Sequence, residues 1–505
     1  VPGGLAYRLR PGATTLVLEA GTGLDVLFAL ASGASEVVAV EERRLVLEAL
    51  QNEYLDFTGG LYHHPRVTAQ NRSSRVFAGR YAGPRFDLVI LSLQSPHRPV
   101  TSGAFSLTED YRYTVEAFRD YLSLLGEDGV FVVTRWLQTP PSESARVFAA
   151  LAEALEREGH RAERQLIAYR SLRTMTVMAS LRPFRAEEID LVRAFLQERA
   201  FDAVSYPGLR AEELNRFLLL PEPSYHDLFQ AILNDSSATF RSYQFDIQPP
   251  TDDHPFFHHF FKWRQTPEIL AALGRIWQPF GGSGYFVLVA LLLLVVLASA
   301  LFILAPLVFA ALTRRREAPV AIARGVQTLS RWRVLLYFAC LGLAFLFVEM
   351  PLAQRFILLL EQPVTALAVV LFAILVFSGL GSLAAPRVPL ALGLALLVAA
   401  TLLYPLVLEP LSAVLLRASE PVRIAATVGL LAPLGFLMGQ PFAGGLRVLE
   451  RLRPELVPWA WAINGSFSVI SAVLAVMLAL TWGFAAVLWL GAGAYAVALA
   501  AIWRT

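Results

Sequence analysis

From Tyr285 to its end the chain repeats apolar stretches long enough to cross a bilayer core, which takes about 20 helical residues. In a hydrocarbon medium such stretches must satisfy their own backbone, so they can only be helices of a membrane bundle. Seven are read: 285–312, 334–349, 363–384, 388–408, 422–443, 458–481 and 482–503. Glu349, Pro351 and Arg355 interrupt the second, which is expected to run on as a kinked or interfacial helix to Leu360. The hydrophobic share of 55% is concentrated here, and a more polar half precedes it. The expected organisation is an α/β domain over 1–180, a helical extension and juxtamembrane linker over 181–284, and a transmembrane domain over 285–505.

Between Thr14 and Ser180 short apolar runs alternate with helical ones, the signature of a parallel sheet covered by helices. Strands are predicted at TTLVLE (14–19), EVVAV (36–40), RVTAQ (66–70), FDLVIL (86–91), GVFVVTR (129–135) and RTMTVMAS (173–180). The fold class is therefore α/β, doubly wound, with ligands expected at the carboxyl ends of the strands. Gly21 and Gly23 follow the first strand, and Asp25 falls in the first turn of the next helix. Glu41 ends the second strand about 20 residues on, where an acid accepts hydrogen bonds from ribose hydroxyls. Gln70 and Asn71 end the third, with amides placed for an adenine edge. These six outline a nucleoside pocket, and spacing alone leaves both NAD and S-adenosylmethionine open.

Composition excludes several classes. A net charge of +2 argues against an extended nucleic-acid surface. Lys262 is the only lysine, which removes a Walker-type loop and leaves little room for Schiff-base chemistry. One cysteine, Cys340, excludes an intrachain disulfide.

The stretch SGAFSLTEDYRYTVEAFRDYLSLLGEDGVFVVTRW (102–136) resembles the spermidine synthase-like branch of the S-adenosylmethionine-dependent methyltransferases. In particular it is similar to bacterial multi-pass membrane proteins of that branch. EYLDFTGGLYHHPRV (53–67), PPTDDHPFFHHFF (249–261), FVEMPLAQRFILLLEQPVTALAVVLFAILVFSGLGSL (347–383) and PWAWAINGSFSVISAVLAV (458–476) resemble the same group. The resemblance implies a methyltransferase-type fold, S-adenosylmethionine or its decarboxylated form as cofactor, and the inner membrane of a bacterium as location. In aminopropyl transfer, acids on the loop after the fourth strand orient and deprotonate the amine. Here that loop reads Ser92-Leu93-Gln94-Ser95-Pro96, so both carboxylates of the family pattern are absent. Ser92, Ser95, His97 and Tyr111 are the catalytic candidates that remain, and spermidine synthesis is not expected. Glu19, where such loops commonly carry glycine, disfavours a ligand carboxylate and favours a sulfonium. Tyr111 and Tyr113 also read as packing residues of a helix capped by Thr108. The competing reading is a catalytically silent domain that binds partner subunits of a membrane complex.

In PPTDDHPFFHHFFKW, the acids and histidines Asp252, Asp253, His254, His258 and His259 are read as part of a turn rather than as metal ligands, because no third ligand is fixed by spacing. Phe256 to Trp263 are expected to form an aromatic belt at the membrane interface. Glu349, Gln354 and Arg355 are ionisable or polar groups at membrane depth, which carry a weaker, transporter-like reading. An interfacial kink anchored by Arg355 and Glu361 is the bland alternative. SGLGS (378–382) and GAGAY (491–495) are expected to permit close helix packing. Topology is in conflict: the arginines of 313–333 and Arg447, Arg451 and Arg453 share one side, which the positive-inside rule makes cytoplasmic. With seven spans the α/β domain then lies outside, whereas a sulfonium cofactor is expected inside.

Overall fold

The computed structural model describes residues 2–93, 107–267, 283–313 and 330–503, divided into two compact units, Val1–Gly284 and Tyr285–Thr505. Ser95 and His97, and the arginines at 314–316 and 324, lie outside the described residues.

The first unit is built on an eight-stranded sheet in the order β3-β2-β1-β4-β5-β7-β6-β8. The strands are β1 (Thr14–Leu18), β2 (Glu36–Glu41), β3 (Val67–Asn71), β4 (Phe86–Leu91), β5 (Leu125–Trp136), β6 (Leu166–Arg170), β7 (Thr174–Ser180) and β8 (Asp202–Ser205). The first five pair in parallel, and β6, β7 and β8 run antiparallel. Alternation along each strand feeds two cores: Leu16, Leu18, Phe131 and Val133 point into one, Val17, Val130 and Val132 into the other. Burial on both faces explains the near-continuous apolar runs of β1, β2, β4 and β5, whereas the edge strand β3 is partly exposed. Helices α1 (Gly4–Leu9), α2 (Leu24–Ala31), α3 (Arg44–Gln51), α4 (Ser74–Arg80), α5 (Val115–Leu122), α6 (Glu143–Arg157), α7 (Ala162–Gln165), α8 (Ala186–Arg199), α9 (Ser224–Asn234) and α10 (Ser236–Ser242) cover the sheet and its edge. The order reverses between β1 and β4, which opens a crevice at their carboxyl ends.

Three expectations fail locally. β6 adds a strand before Ser180 and β8 one after it, so the stretch after 180 is not wholly helical, and the last expected strand, β7, pairs antiparallel with β5 rather than in parallel. AEELNRFLLL (211–220), inside the expected helical extension, forms only a 3-10 turn over Ala211–Glu213 and then wraps around buried Asp202. That carboxylate accepts the N–H groups of Arg216, Phe217 and Leu218 at 2.7, 2.8 and 2.9 Å, and a tertiary acceptor of this strength overrides helical periodicity. Thr108 is not the cap of the helical turns that follow it. Asp110 caps the 3-10 turn Tyr111–Tyr113, and Thr114 caps α5 through its hydroxyl.

The second unit contains α11 (Ser283–Ser299), α12 (Ala305–Thr313), α13 (Arg331–Arg355), α14 (Ile357–Leu360), α15 (Pro363–Ala384), α16 (Leu390–Leu415), α17 (Glu420–Leu452) and α18 (Val457–Trp503). Among the described residues six helices are long and apolar enough to cross a membrane. α13 stays helical through Pro351, and α14 carries the segment on to Leu360. α18, at 47 residues, would be about 70 Å long if straight, more than twice a bilayer core. It is not straight: Gly483 has φ 83° and ψ 173°, and the chain reverses there. Asn464 and Ser468 bond to the carbonyls of Phe338 and Gly342, so the first arm ascends with α13. Gly491 packs on Phe347 and Val348 while Ala501 lies beside Val334, so the second arm descends. Each arm, about 39 and 30 Å long, is enough for one crossing.

This up-and-down order gathers Arg331, Arg333, Arg387, Arg447, Arg451 and Arg453 at one end of the bundle. Tyr285 is at the other end, with its hydroxyl 3.2 Å from Thr481 just before the reversal. Close packing rests on glycine. A Cβ on Gly381 would lie 1.9 Å from the Phe436 carbonyl oxygen, and one on Gly439 1.9 Å from that of Ser378. The expected contact role of SGLGS thus has its counterpart in Gly435 and Gly439, and in GAGAY it is Gly491, against Phe347 and Val348, that makes the close contact, whereas Gly493 meets nothing within 4 Å. Gly439→Ala is expected to force α15 and α17 apart and cost about 2 kcal/mol. A thermal unfolding midpoint equal to wild type in detergent would contradict this.

Candidate functional site

The glycine turn after β1 is held from both sides. Gly21 donates its N–H to Glu41 Oε2 at 2.7 Å, and Tyr62 donates its hydroxyl to the Gly21 carbonyl at 2.9 Å. Gly21 and Gly23 have φ of 52° and 89°, the region that glycine enters without penalty. Gly23 is further required by packing, because a Cβ there would lie 2.5 Å from Leu61. Glu41 is 1% exposed, and its carboxylate is capped from the outer side by Arg43. The Arg43 guanidinium donates to Oε1 at 2.7 Å and to Oε2 at 3.3 Å, and its backbone N–H adds a bond of 2.9 Å. Two side-chain donors on two carboxylate oxygens is the pattern a ribose diol would present. Asn71 ends β3 with its amide nitrogen on the carbonyls of Glu41 and Glu42, and Gln70 is half-buried beside it.

Asp25 and Ser92 sit across the switch between β1 and β4. Burial pushes the Asp25 carboxyl up, and the Ser92 hydroxyl, facing it without a hydrogen bond of good geometry, opposes this only in part. No arginine pairs with Asp25 among the described residues.

The other acids of the crevice are all paired. Glu19, buried and in the left-handed region at φ 56°, accepts the Ser74 hydroxyl and lies 3.2 Å from Arg112. Arg112 forks onto Asp110 with two bonds of 2.7 Å. Burial would raise the Asp110 carboxyl, but Arg112 and His258 hold it below the ordinary range. His258 lies 3.9 Å from Asp110 and 3.6 Å from Glu143, and Glu143 is paired with Arg135. Arg135 also donates to the Tyr113 hydroxyl at 2.6 Å and stacks on Phe257. Tyr111 is buried, and its carbonyl accepts from Arg75.

The aromatic segment 249–261 is a buried strap of this unit, which corrects its reading as a membrane-interface belt. Phe256, Phe257, Phe260 and Phe261 are buried, and Trp263 alone of the series stays exposed. Two arginines that sequence reasoning overlooked hold it. Arg75 grips Asp252 at 2.7 and 2.9 Å, and Thr114 bonds the same carboxylate. Arg146, 2% exposed, donates to the carbonyls of Phe256, Phe257 and His259 at 3.0, 2.5 and 2.7 Å, and to that of Asp246. Among the described residues no group of three acids, histidines or cysteines could hold a metal ion. The one available signal was composition: all but one of the 43 basic residues are arginine, the side chain suited to buried forked pairing.

Acid lability follows. Burial and Arg146 push His259 down to about 3, so the unfolded chain takes its proton near pH 6.5 and the folded chain does not. Burial opposes ionisation of Glu143, but Arg135 and His258 win and hold it at about 2 against an ordinary 4.5. Both shifts lose stability as pH falls, His259 from 6.5 downward and Glu143 from 4.5 downward. Protection of β5 amides in hydrogen exchange, corrected for intrinsic rates, should fall between pH 7 and 5. His259→Leu should flatten that slope, and an unchanged slope would refute the assignment.

No family model and no curated protein matches this chain. It is similar to a spermidine synthase solved with the transition state analogue AdoDATO, at 16% identity over 43% of this chain and 68% of that one, with a TM-score of 0.29. Spermidine synthase from Thermotoga maritima gives 18% identity, 43% and 69% coverage, and a TM-score of 0.29. Human methyltransferase-like protein 13 in complex with SAH gives 15%, 42% and 93%, and 0.27.

Proposed function

We propose that the first unit binds an adenosyl-type nucleoside in the crevice between β1 and β4 and acts as a membrane-tethered transferase whose acceptor is not a polycation. The pairing of the crevice acids supports this. Glu19 and Asp110 are neutralised by Arg112, and Glu41 is capped by Arg43. A polyamine pocket needs carboxylates left open to its cations, and a second carboxylate to deprotonate the amine. Asp25 is the acid in the crevice that carries no guanidinium, and burial raises its affinity for a proton. It is the group we assign to take a proton from the acceptor, with Ser92 beside it and Tyr62 and Glu41 holding the turn.

The chemistry of a bound sulfonium donor is to present an electrophilic alkyl carbon. The chain's own residues fit its nucleoside end provided Arg43 leaves Glu41, since a ribose diol would replace the same two donors. The Arg43 side chain is 55% exposed and has solvent to move into.

A silent binding module is the second reading, and two observations favour it. Glu41 has both oxygens occupied, and the arginine-rich end of the bundle is opposite the end at which α11 begins. The arginine rule would place that latter end on the non-cytoplasmic side, where a sulfonium cofactor is not expected.

Calorimetric titration of the full chain with S-adenosylmethionine, its decarboxylated form and methylthioadenosine separates the two. Micromolar binding abolished by Glu41→Ala, with no heat from spermidine, is the expected result. No heat from any of the three donors would leave the silent module.

A further inference from the structure

We propose that Arg423 and Thr427 form a receptor for a phosphate oxyanion in the second unit, at the end of the bundle where α17 begins. Arg423 lies in the first turn of α17 and is 1% exposed. At such a position an arginine ordinarily extends its head toward water. Here it turns inward, and its Nη2 donates to Glu361. Nε and Nη1 of the same guanidinium find no acceptor, and neither does the buried hydroxyl of Thr427, one helical turn deeper on the same face. Buried charged donors left open are costly, and in native proteins they mark an ion or polar group that completes the site.

The charge around them selects an anion. Arg355, also buried, ends α13 six residues before Glu361. Arg423 and Arg355 are thus two buried guanidiniums on helices that begin and end at this end of the bundle. The positive ends of two long helices meet here as well, with α15 beginning at Pro363 beside Glu361 and α17 beginning at Glu420. Glu361 has φ 64°, a strained backbone for a residue with a side chain, and it holds its carboxylate against Arg423. An oxyanion would accept from the open guanidinium donors and the Thr427 hydroxyl together. A first-turn position in a membrane helix is at the depth of lipid headgroups, so the phosphate can belong to an anionic lipid or be free in solution.

The test is thermal unfolding of the full chain in an uncharged detergent, titrated with inorganic phosphate and, separately, with dihexanoyl phosphatidylglycerol. A saturable rise in midpoint with at least one probe is expected. A response to the lipid alone assigns a headgroup site, and a response to phosphate in both forms assigns the oxyanion itself. Thr427→Val should weaken the response about tenfold, the worth of one hydrogen bond to a charged group. Arg423→Gln should abolish it. Glu361→Gln removes the competing carboxylate and should tighten binding, which a purely structural ion pair would not do. No response to either probe in wild type and in Glu361→Gln overturns the proposal, and this holds even if Arg423→Gln fails to fold.

Discussion

Arg43→Ala should tighten nucleoside binding about tenfold, while Glu41→Ala should weaken it by about a hundredfold or more. The two substitutions act on one ion pair, yet their signs differ. Glu41 supplies the acceptor oxygens and fixes the Gly21 N–H, so its loss removes both the ribose contact and the turn's anchor. Arg43 supplies donors that the ligand must displace. A protein whose binding-competent form is a fraction of the total loses affinity by that fraction, and removing the competitor restores it. The Arg43 backbone N–H keeps its bond to Glu41 in Arg43→Ala, so the β2 end stays in place. Calorimetry of both variants with the donor that binds wild type decides the matter. Weaker binding in Arg43→Ala would mean that the arginine touches the ligand, and the cap would be discarded.

Arg146→Met should have the largest effect on stability, a loss of about 4 kcal/mol. The guanidinium is fully enclosed, it satisfies three carbonyls of the strap and that of Asp246 just before it, and its face lies 4.4 Å from the centre of the Phe260 ring. Methionine fills part of the volume but donates nothing, so four carbonyl groups are left buried without that partner. Because Asp252 of the same strap is gripped separately by Arg75, the first consequence should be local opening of residues 246 to 261. Limited proteolysis should then cut the strap, and Arg146→Lys should recover less than half of the loss, because an ammonium cannot reach divergent carbonyls as a planar fork does. A loss under about 1 kcal/mol would mean that water replaces the guanidinium without cost.

The alternating runs from Thr14 to Ser180 were enough to place six strands, five of them parallel, because a short strand buried on both faces is apolar throughout; they did not show β6 or the antiparallel direction of β7, which depends on the partner strand. The long apolar stretches likewise announced helices long and apolar enough to cross a membrane, since hydrocarbon leaves a backbone no other option. The reversal at Gly483 was visible as a boundary between two spans, because its composition on either side is that of a full crossing. The places of Gly21, Gly23, Asp25 and Glu41 at the turn, helix start and strand end were also legible from spacing, since these features follow each other closely in the chain.

What only the tertiary structure decided is which charges meet. Glu19 and Arg112 are 93 residues apart, Arg75 and Asp252 177, and Glu361 and Arg423 62. No local period encodes such a pairing, and the same PPTDDHPFFHHFF that reads as a membrane belt becomes a buried strap once Arg75 and Arg146 are in reach. Periodicity is a property of neighbours along the chain, whereas the fate of an isolated charge depends on whichever partner the fold brings to it. The sequence by itself therefore determined the layers of this protein, and the tertiary structure determined its ion pairs, because burial of a charge is stable only where its partner is also delivered.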